Sequence, residues 1–204
     1  MNFILAAFIF SGVIATGNAL QCNTCEVVDK EGVPDDCVGE LVECTSLTDQ
    51  CATQIEVNYV ASASEGKKIT TVKKGCFKAK FLPYCENRFE VDSNPDFYLA
   101  LYTKCCNLVD GCNSGPIQMP PASTTENGRT CPACFAVDAT TCTPVEKKCF
   151  GTEAQCVSYN GPAARPGEEQ KNYVIQGCVT PGSCYVDFNG IPATKVESNN
   201  YKCY

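Results

Sequence analysis

The sequence has no histidine and no tryptophan among its 204 residues. Without histidine, the chain lacks the most common general base and the Ser–His and Cys–His pairs of many hydrolases. It also lacks a strongly basic surface, since 16 Lys and Arg face 23 Asp and Glu for a net charge of −7. Phosphate binding requires clustered positive charge, so nucleic acid is not an expected partner. We predict that the protein is not an enzyme and needs no cofactor.

Long hydrophobic stretches are absent except at the start of the chain. Residues 1–19 carry no charge, and their apolar part is too short to span a bilayer. Gly17 and Ala19 are the small residues that signal peptidase selects three and one positions before its cut. A buried core helix is the alternative. We predict a signal peptide over 1–19, a mature chain from Leu20, and secretion. No hydrophobic tail precedes Tyr204, so we predict no lipid anchor.

Cysteine is the abundant residue, with 18 copies. An even number behind a signal peptide predicts disulfides, whereas zinc sites usually add histidine or evenly spaced Cys-x-x-Cys pairs. Redox activity is the alternative for the motifs Cys22–Cys25 and Cys131–Cys134. That activity needs a thiol of low pKa at a helix N-terminus, and neither motif precedes a helical pattern. We therefore predict structural disulfides and no metal site.

The cysteines form two repeats of similar spacing. Each repeat begins with Cys-x-x-Cys, continues with three cysteines whose last two gaps hold six residues, and then has a long gap. The first repeat contains Cys22, Cys25, Cys37, Cys44, Cys51, Cys76, Cys85, Cys105, Cys106 and Cys112; the second contains Cys131, Cys134, Cys142, Cys149, Cys156, Cys178, Cys184 and Cys203. We predict domains over 20–115 and 131–204, joined by a Pro/Ser/Thr-rich linker over 116–130.

Within the repeats the sequence alternates with the period of β-strands. Residues 51–59 present Ile55 and Val57 on one face and Glu56 and Asn58 on the other. Further strands are predicted over 67–76, 97–105, 156–160 and 172–178, with a turn over 161–167. Because no stretch of helical period follows the signal peptide, we predict an all-β fold.

The Cys-x-x-Cys opening, the adjacent Cys105 and Cys106, and Cys112-Asn113 resemble the lymphocyte-antigen/urokinase-receptor family of three-finger domains. In that family a cysteine-rich palm projects three β-hairpin fingers. The second repeat lacks the last two cysteines and the following Asn of the family pattern. The resemblance implies nine disulfides, which are Cys22–Cys51, Cys25–Cys37, Cys44–Cys76, Cys85–Cys105, Cys106–Cys112, Cys131–Cys156, Cys134–Cys142, Cys149–Cys178 and Cys184–Cys203.

A complete first domain followed by a truncated second domain resembles two related groups. These are the gamma-type inhibitors of secreted phospholipase A2 and the sodefrin precursor-like factors, which are amphibian courtship pheromones. Residues 156–169 and 173–178 resemble the pheromone group more closely. The resemblance implies an extracellular signalling protein that binds a receptor. An inhibitor that binds a secreted phospholipase is the alternative, and a structural mucus protein and self-association remain open.

A basic stretch interleaved with aromatic residues is the candidate partner-binding surface. In three-finger domains the palm is rigid and the fingers are free, so we expect partners to meet the fingers. Aromatic residues are common anchors of interfaces. The alternative is a solvated face, because surface charge usually has no further role. The candidate residues are Lys73, Lys74, Phe77, Phe81 and Tyr84.

Overall fold

The computed structural model describes residues 19–29, 34–61, 68–93, 95–185, 192–196 and 200–204. The predicted signal peptide therefore lies almost entirely outside the described residues. Twelve β-strands and two short 3-10 helices form the regular structure of these ranges. The predicted all-β fold is confirmed. No helix in the described ranges is both long enough and apolar enough to cross a membrane.

The first repeat forms a six-stranded antiparallel sheet in the order β2-β1-β4-β3-β6-β5. The strands pair as three hairpin fingers, β1 with β2, β3 with β4, and β5 with β6. A 3-10 helix over Ala79–Tyr84 connects the second finger to the third. The strands are β1 Gln21–Asp29, β2 Glu40–Glu43, β3 Gln50–Val60, β4 Lys68–Phe77, β5 Arg88–Asp92 and β6 Phe97–Cys106.

The second repeat is built around the long hairpin of β9 and β10. Strand β7 pairs with β8 and β10, and two short strands, β11 and β12, pair with β9. The strands are β7 Glu126–Val137, β8 Val145–Phe150, β9 Gln155–Ala164, β10 Lys171–Val179, β11 Lys195–Val196 and β12 Tyr201–Cys203, with a 3-10 helix over Pro181–Tyr185.

Two sequence-based boundaries differ from the structure. Residues 126–130, which we assigned to the linker, are the first part of β7 and pair with β8. Residues 161–164, which we assigned to a turn, extend β9 and pair with β10 and β11. In both cases a neighbouring strand pairs with a segment that contains Gly or Pro. This pairing outweighs the local preference of those residues for turns and loops.

The two repeats share one continuous sheet, because β10 of the second repeat pairs with β5 of the first. Val179 lies opposite Val91, and the Thr180 N–H donates to the Glu90 carbonyl at 3.1 Å. Gly177 permits this junction. A Cβ at that position would lie 2.2 Å from the carbonyl oxygen of Asp92. The two repeats therefore meet through backbone contacts that a larger residue would prevent.

All eighteen cysteines form disulfides, with Cα–Cα distances between 5.2 and 6.0 Å. The nine pairs are those that the family resemblance implies, and every bridge lies within one repeat. The sulfur atoms of Cys22, Cys44 and Cys76 lie together, as do those of Cys131, Cys149 and Cys178. Each of these sulfurs already belongs to a disulfide. The two clusters are therefore the disulfide-bonded palms of the repeats and offer no free thiolate to a metal ion.

Different hydrogen bonds connect the strands at the palms of the two repeats. In the first, Asn113 bridges two strands. Its Nδ2 donates to the carbonyls of Asn23 and Ala52, and its Oδ1 accepts from the Asn23 N–H. In the second repeat, Tyr204 and Cys156 exchange two backbone hydrogen bonds at 2.9 and 3.0 Å.

Candidate partner-binding surface

Two of the predicted aromatic anchors are core residues in the structure. Phe77 and Phe81 are buried against Ala52, and their ring centroids are 5.4 Å apart. Tyr84 is partly buried against the same cluster and contacts the ring of Phe89 edge-on. The 3-10 turn that follows β4 folds these rings inward, where they fill the base of the second finger. Their burial leaves Phe77 and Phe81 without an exposed ring to insert into a partner.

The predicted lysine pair divides between two environments. The side chain of Lys74 is only 2% exposed, pairs with the Asp36 carboxylate and donates to the Cys37 carbonyl. That of Lys73 is 44% exposed and pairs with Glu26 at 2.9 Å. Adjacent residues on a strand point to opposite faces, so only one of the two can meet solvent. Of the predicted set, Lys73 and the partly buried Tyr84 keep exposed surface.

One face of β3 is covered by the second repeat. Glu56 is fully buried and accepts hydrogen bonds from the Thr194 hydroxyl and from the N–H groups of Ala193 and Thr194. Asn58 accepts from Nε of Arg165 at 2.8 Å. Burial raises the pKa of Glu56 above the usual carboxyl range, although these hydrogen bonds oppose the rise. The face that looks polar in the sequence is thus a polar contact between the repeats.

The opposite face of β3 is partly covered by the linker. Ile117 is buried against Ile55 and Val72, and its N–H donates to the Asp35 carbonyl at 2.6 Å. Further along, the Arg88 guanidinium donates to the Pro120 carbonyl. The predicted linker is therefore bound to the first repeat. Because the second repeat covers one face of β3 and the linker partly covers the other, little of this part of the sheet is accessible to a partner.

A cluster of charged groups lies at the junction of the repeats. Lys147 of β8 pairs with Asp92 of β5 at 3.0 Å, and both side chains are largely buried. Nearby, Glu153 is buried and accepts the N–H of Phe150 at 2.8 Å. Burial, with smaller contributions from Asp92 and Glu90, raises the pKa of Glu153 to about 7. Lys147 thus pairs with Asp92, while Glu153 lies in the same buried cluster and is hydrogen-bonded to backbone.

Exposed aliphatic residues gather at the palm of the first repeat. Leu41 on β2, together with Leu108 and Val109 in the loop closed by the Cys106–Cys112 disulfide, is more than half exposed. We call these three residues the palm patch. We did not predict these residues from the sequence, although two adjacent aliphatic residues stand among the five between Cys106 and Cys112.

Comparison with known proteins identifies the fold family. A model of the u-PAR/Ly-6 domain matches residues 18–115 and again residues 127–203. The chain belongs to the u-PAR/Ly-6 domain family. The two matches correspond to the two cysteine repeats and include residues 127–130 of β7. This family is extracellular, in agreement with the disulfide framework.

Several relatives of this u-PAR/Ly-6 protein are named as inhibitors. Phospholipase A2 inhibitor PIP of Malayopython reticulatus is 30% identical over 180 residues, which are 88% of this chain and 82% of the relative. Phospholipase A2 inhibitor NAI of Notechis ater is 26% identical over 90% of this chain and 86% of its own. Protein RoBo-1 of Rattus norvegicus is 32% identical over 48% of this chain and 40% of its own. These relatives support a secreted binding protein.

Proposed function

We propose that this protein is a secreted inhibitor of phospholipase A2 that acts by binding the enzyme. The observation that carries the proposal is the extent of the similarity. Identity to a protein named as a phospholipase A2 inhibitor extends over 88% of the chain and so includes both repeats. The inhibitor is therefore the preferred function, and the courtship pheromone, our first expectation from the sequence, is not proposed.

The structure is suited to inhibition by binding. Nine disulfides brace the individual repeats, and the pairing of β10 with β5 joins the repeats in one sheet. A rigid surface loses little conformational entropy on association, so more of the contact energy appears as affinity. We expect a preorganised extracellular surface that covers a partner protein, without chemistry of its own.

The test is titration of purified, oxidised protein against a panel of secreted phospholipases A2. We expect activity to fall to near zero at about one inhibitor chain or assembly per enzyme. Binding measured by surface plasmon resonance without lipid should give the same ranking of enzymes. Reduced and alkylated protein is the control, because it has the same composition without the fold.

Two results would contradict the proposal. The first is full phospholipase activity across the panel at a large excess of the protein. The second is inhibition that depends on the amount of lipid and not on the amount of enzyme, since that dependence indicates that the protein coats the substrate. A measured complex without lipid excludes this second explanation.

A further inference from the structure

We propose that the palm patch is the surface on which the phospholipase docks, and that it meets a face of the enzyme that combines apolar and cationic residues. This inference rests on the proposed function and adds the site and the chemistry of the partner. The central fingers are covered by the second repeat on one side and by the linker on the other. The palm patch offers exposed apolar side chains that no packing within the described chain accounts for.

The patch brings together two segments that are far apart in sequence. Leu41 packs against Gly111, where a Cβ would lie 3.1 Å from Leu41 Cδ2. The N–H of Gly111 donates to the Gln21 carbonyl at 2.8 Å, and Asn23 Nδ2 donates to the Gly111 carbonyl at 3.0 Å. Strand β1 therefore holds the loop with Leu108 and Val109 beside β2.

The loop is also rigid, which distinguishes it from an ordinary exposed turn. The Cys106–Cys112 disulfide closes it, and Asp110 Oδ1 accepts the Gln21 N–H at 2.9 Å. Within this frame Leu108 is 89% exposed, Val109 63% and Leu41 52%. Apolar groups held in place on a surface commonly mark an interaction site, because they can be buried with little loss of entropy.

Charge around the patch indicates which partner fits. Glu43 lies on the same side of β2 as Leu41, since residues two apart on a strand share a face. Asp110 lies in the loop itself, next to Val109. Acidic groups at the rim of an apolar centre complement cationic groups around an apolar area on the partner, and they increase the association rate. The net charge of −7 acts in the same direction.

Two pairs of matched variants test the patch by surface plasmon resonance against a phospholipase that the wild type binds. Val109→Ser removes a patch residue, whereas Val145→Ser changes a valine of similar exposure, 67%, on β8. We expect about tenfold or greater loss of affinity for Val109→Ser, mainly through faster dissociation. Leu108→Ser should act in the same way, and Val145→Ser should match the wild type.

The second pair separates local charge from net charge. Glu43→Lys and Glu40→Lys make the same charge change on β2, but on opposite faces of the strand. We expect Glu43→Lys to slow association several-fold more than Glu40→Lys at low salt, with the difference shrinking as salt screens it. Since all these side chains are exposed, we expect wild-type melting temperatures, which would show that each variant is folded.

The outcomes distinguish an error about the palm patch from an error about the proposed function. Wild-type affinity in folded Val109→Ser and Leu108→Ser, while the wild type binds the enzyme, would overturn the palm patch and leave the proposed function intact. Equal effects of Glu43→Lys and Glu40→Lys would overturn the cationic partner face. Failure of the wild-type protein to bind any phospholipase A2 of the panel would overturn both the function and this inference.

Discussion

Gly177→Ala should separate the two repeats where their sheets join. A Cβ added at Gly177 would lie 2.2 Å from the Asp92 carbonyl oxygen and 2.7 Å from Ser93 Oγ. The first contact is with backbone, so no rotation of a side chain can relieve it. Strand β10 must move away from β5, and the pairing of Cys178 with Asp92 and of Val179 with Val91 weakens.

The chain contains a matched control for this substitution. Gly75 precedes Cys76 on β4 as Gly177 precedes Cys178 on β10, at the same place in the two cysteine repeats. A Cβ on Gly75 would meet only Thr24 Oγ1, at 3.9 Å, which is ordinary contact. Both substitutions reduce the entropy of the unfolded chain by the same amount, so their difference reports the junction alone.

The expected size of the effect follows from the cost of overpacking, about 1–3 kcal/mol. For a protein of this length, 1 kcal/mol changes the melting temperature by roughly 2–4 °C. With a cost of about 2 kcal/mol, Gly177→Ala should lower the melting temperature by roughly 4–8 °C. Gly75→Ala should leave the melting temperature unchanged or raise it by roughly 1–4 °C, because the entropic gain of about 0.4–1 kcal/mol meets no clash.

Thermal unfolding followed by circular dichroism gives the melting temperatures, and hydrogen exchange by mass spectrometry locates the change. We expect faster exchange in Gly177→Ala for amides of β5 and for the end of β10. Equal melting temperatures for the two variants, with unchanged exchange at the junction, would refute the close approach of the repeats.

Three further predictions concern buried charge and the disulfides. Lys74→Ala should cost about 1–3 kcal/mol, because it removes a buried side chain that donates to the Cys37 carbonyl and pairs with the partly exposed Asp36 carboxylate. Lys73→Ala should cost about 1 kcal/mol or less, because both members of its ion pair are well exposed; equal losses in denaturant unfolding would contradict this division. The raised pKa of Glu153 means that its contribution to stability is present at low pH and is lost as the pH rises through about 7. Glu153→Gln should therefore flatten the dependence of unfolding free energy on pH between about 4.5 and 7 and be relatively more stable above pH 7. An unchanged pH profile of denaturant unfolding would count against this assignment. Non-reducing mass spectrometry of secreted protein should find nine bridges within repeats, no alkylatable cysteine and a mature start at Leu20; any bridge between repeats would disprove the pairing.

The sequence determined the class of fold because cysteine spacing is a covalent constraint. Two matched six-residue gaps and the Cys-x-x-Cys openings can be read without coordinates, and alternation of apolar and polar residues indicated strands. The same information limits the function classes, since a chain without histidine and without a strongly basic surface lacks common catalytic and nucleic-acid-binding groups. These properties are local or additive along the chain.

The tertiary structure alone decided which surfaces are free. Alternation in β3 predicts two different faces but not that Glu56 meets the backbone of residues 193 and 194, more than 130 positions away. The basic and aromatic segment looked exposed in the sequence, yet a single 3-10 turn buries Phe77 and Phe81. The palm patch exists because β1 binds both β2 and the disulfide loop, which brings Gly111 of the loop against Leu41. Burial depends on contacts between distant segments, and for that reason a pattern within one segment could not predict it.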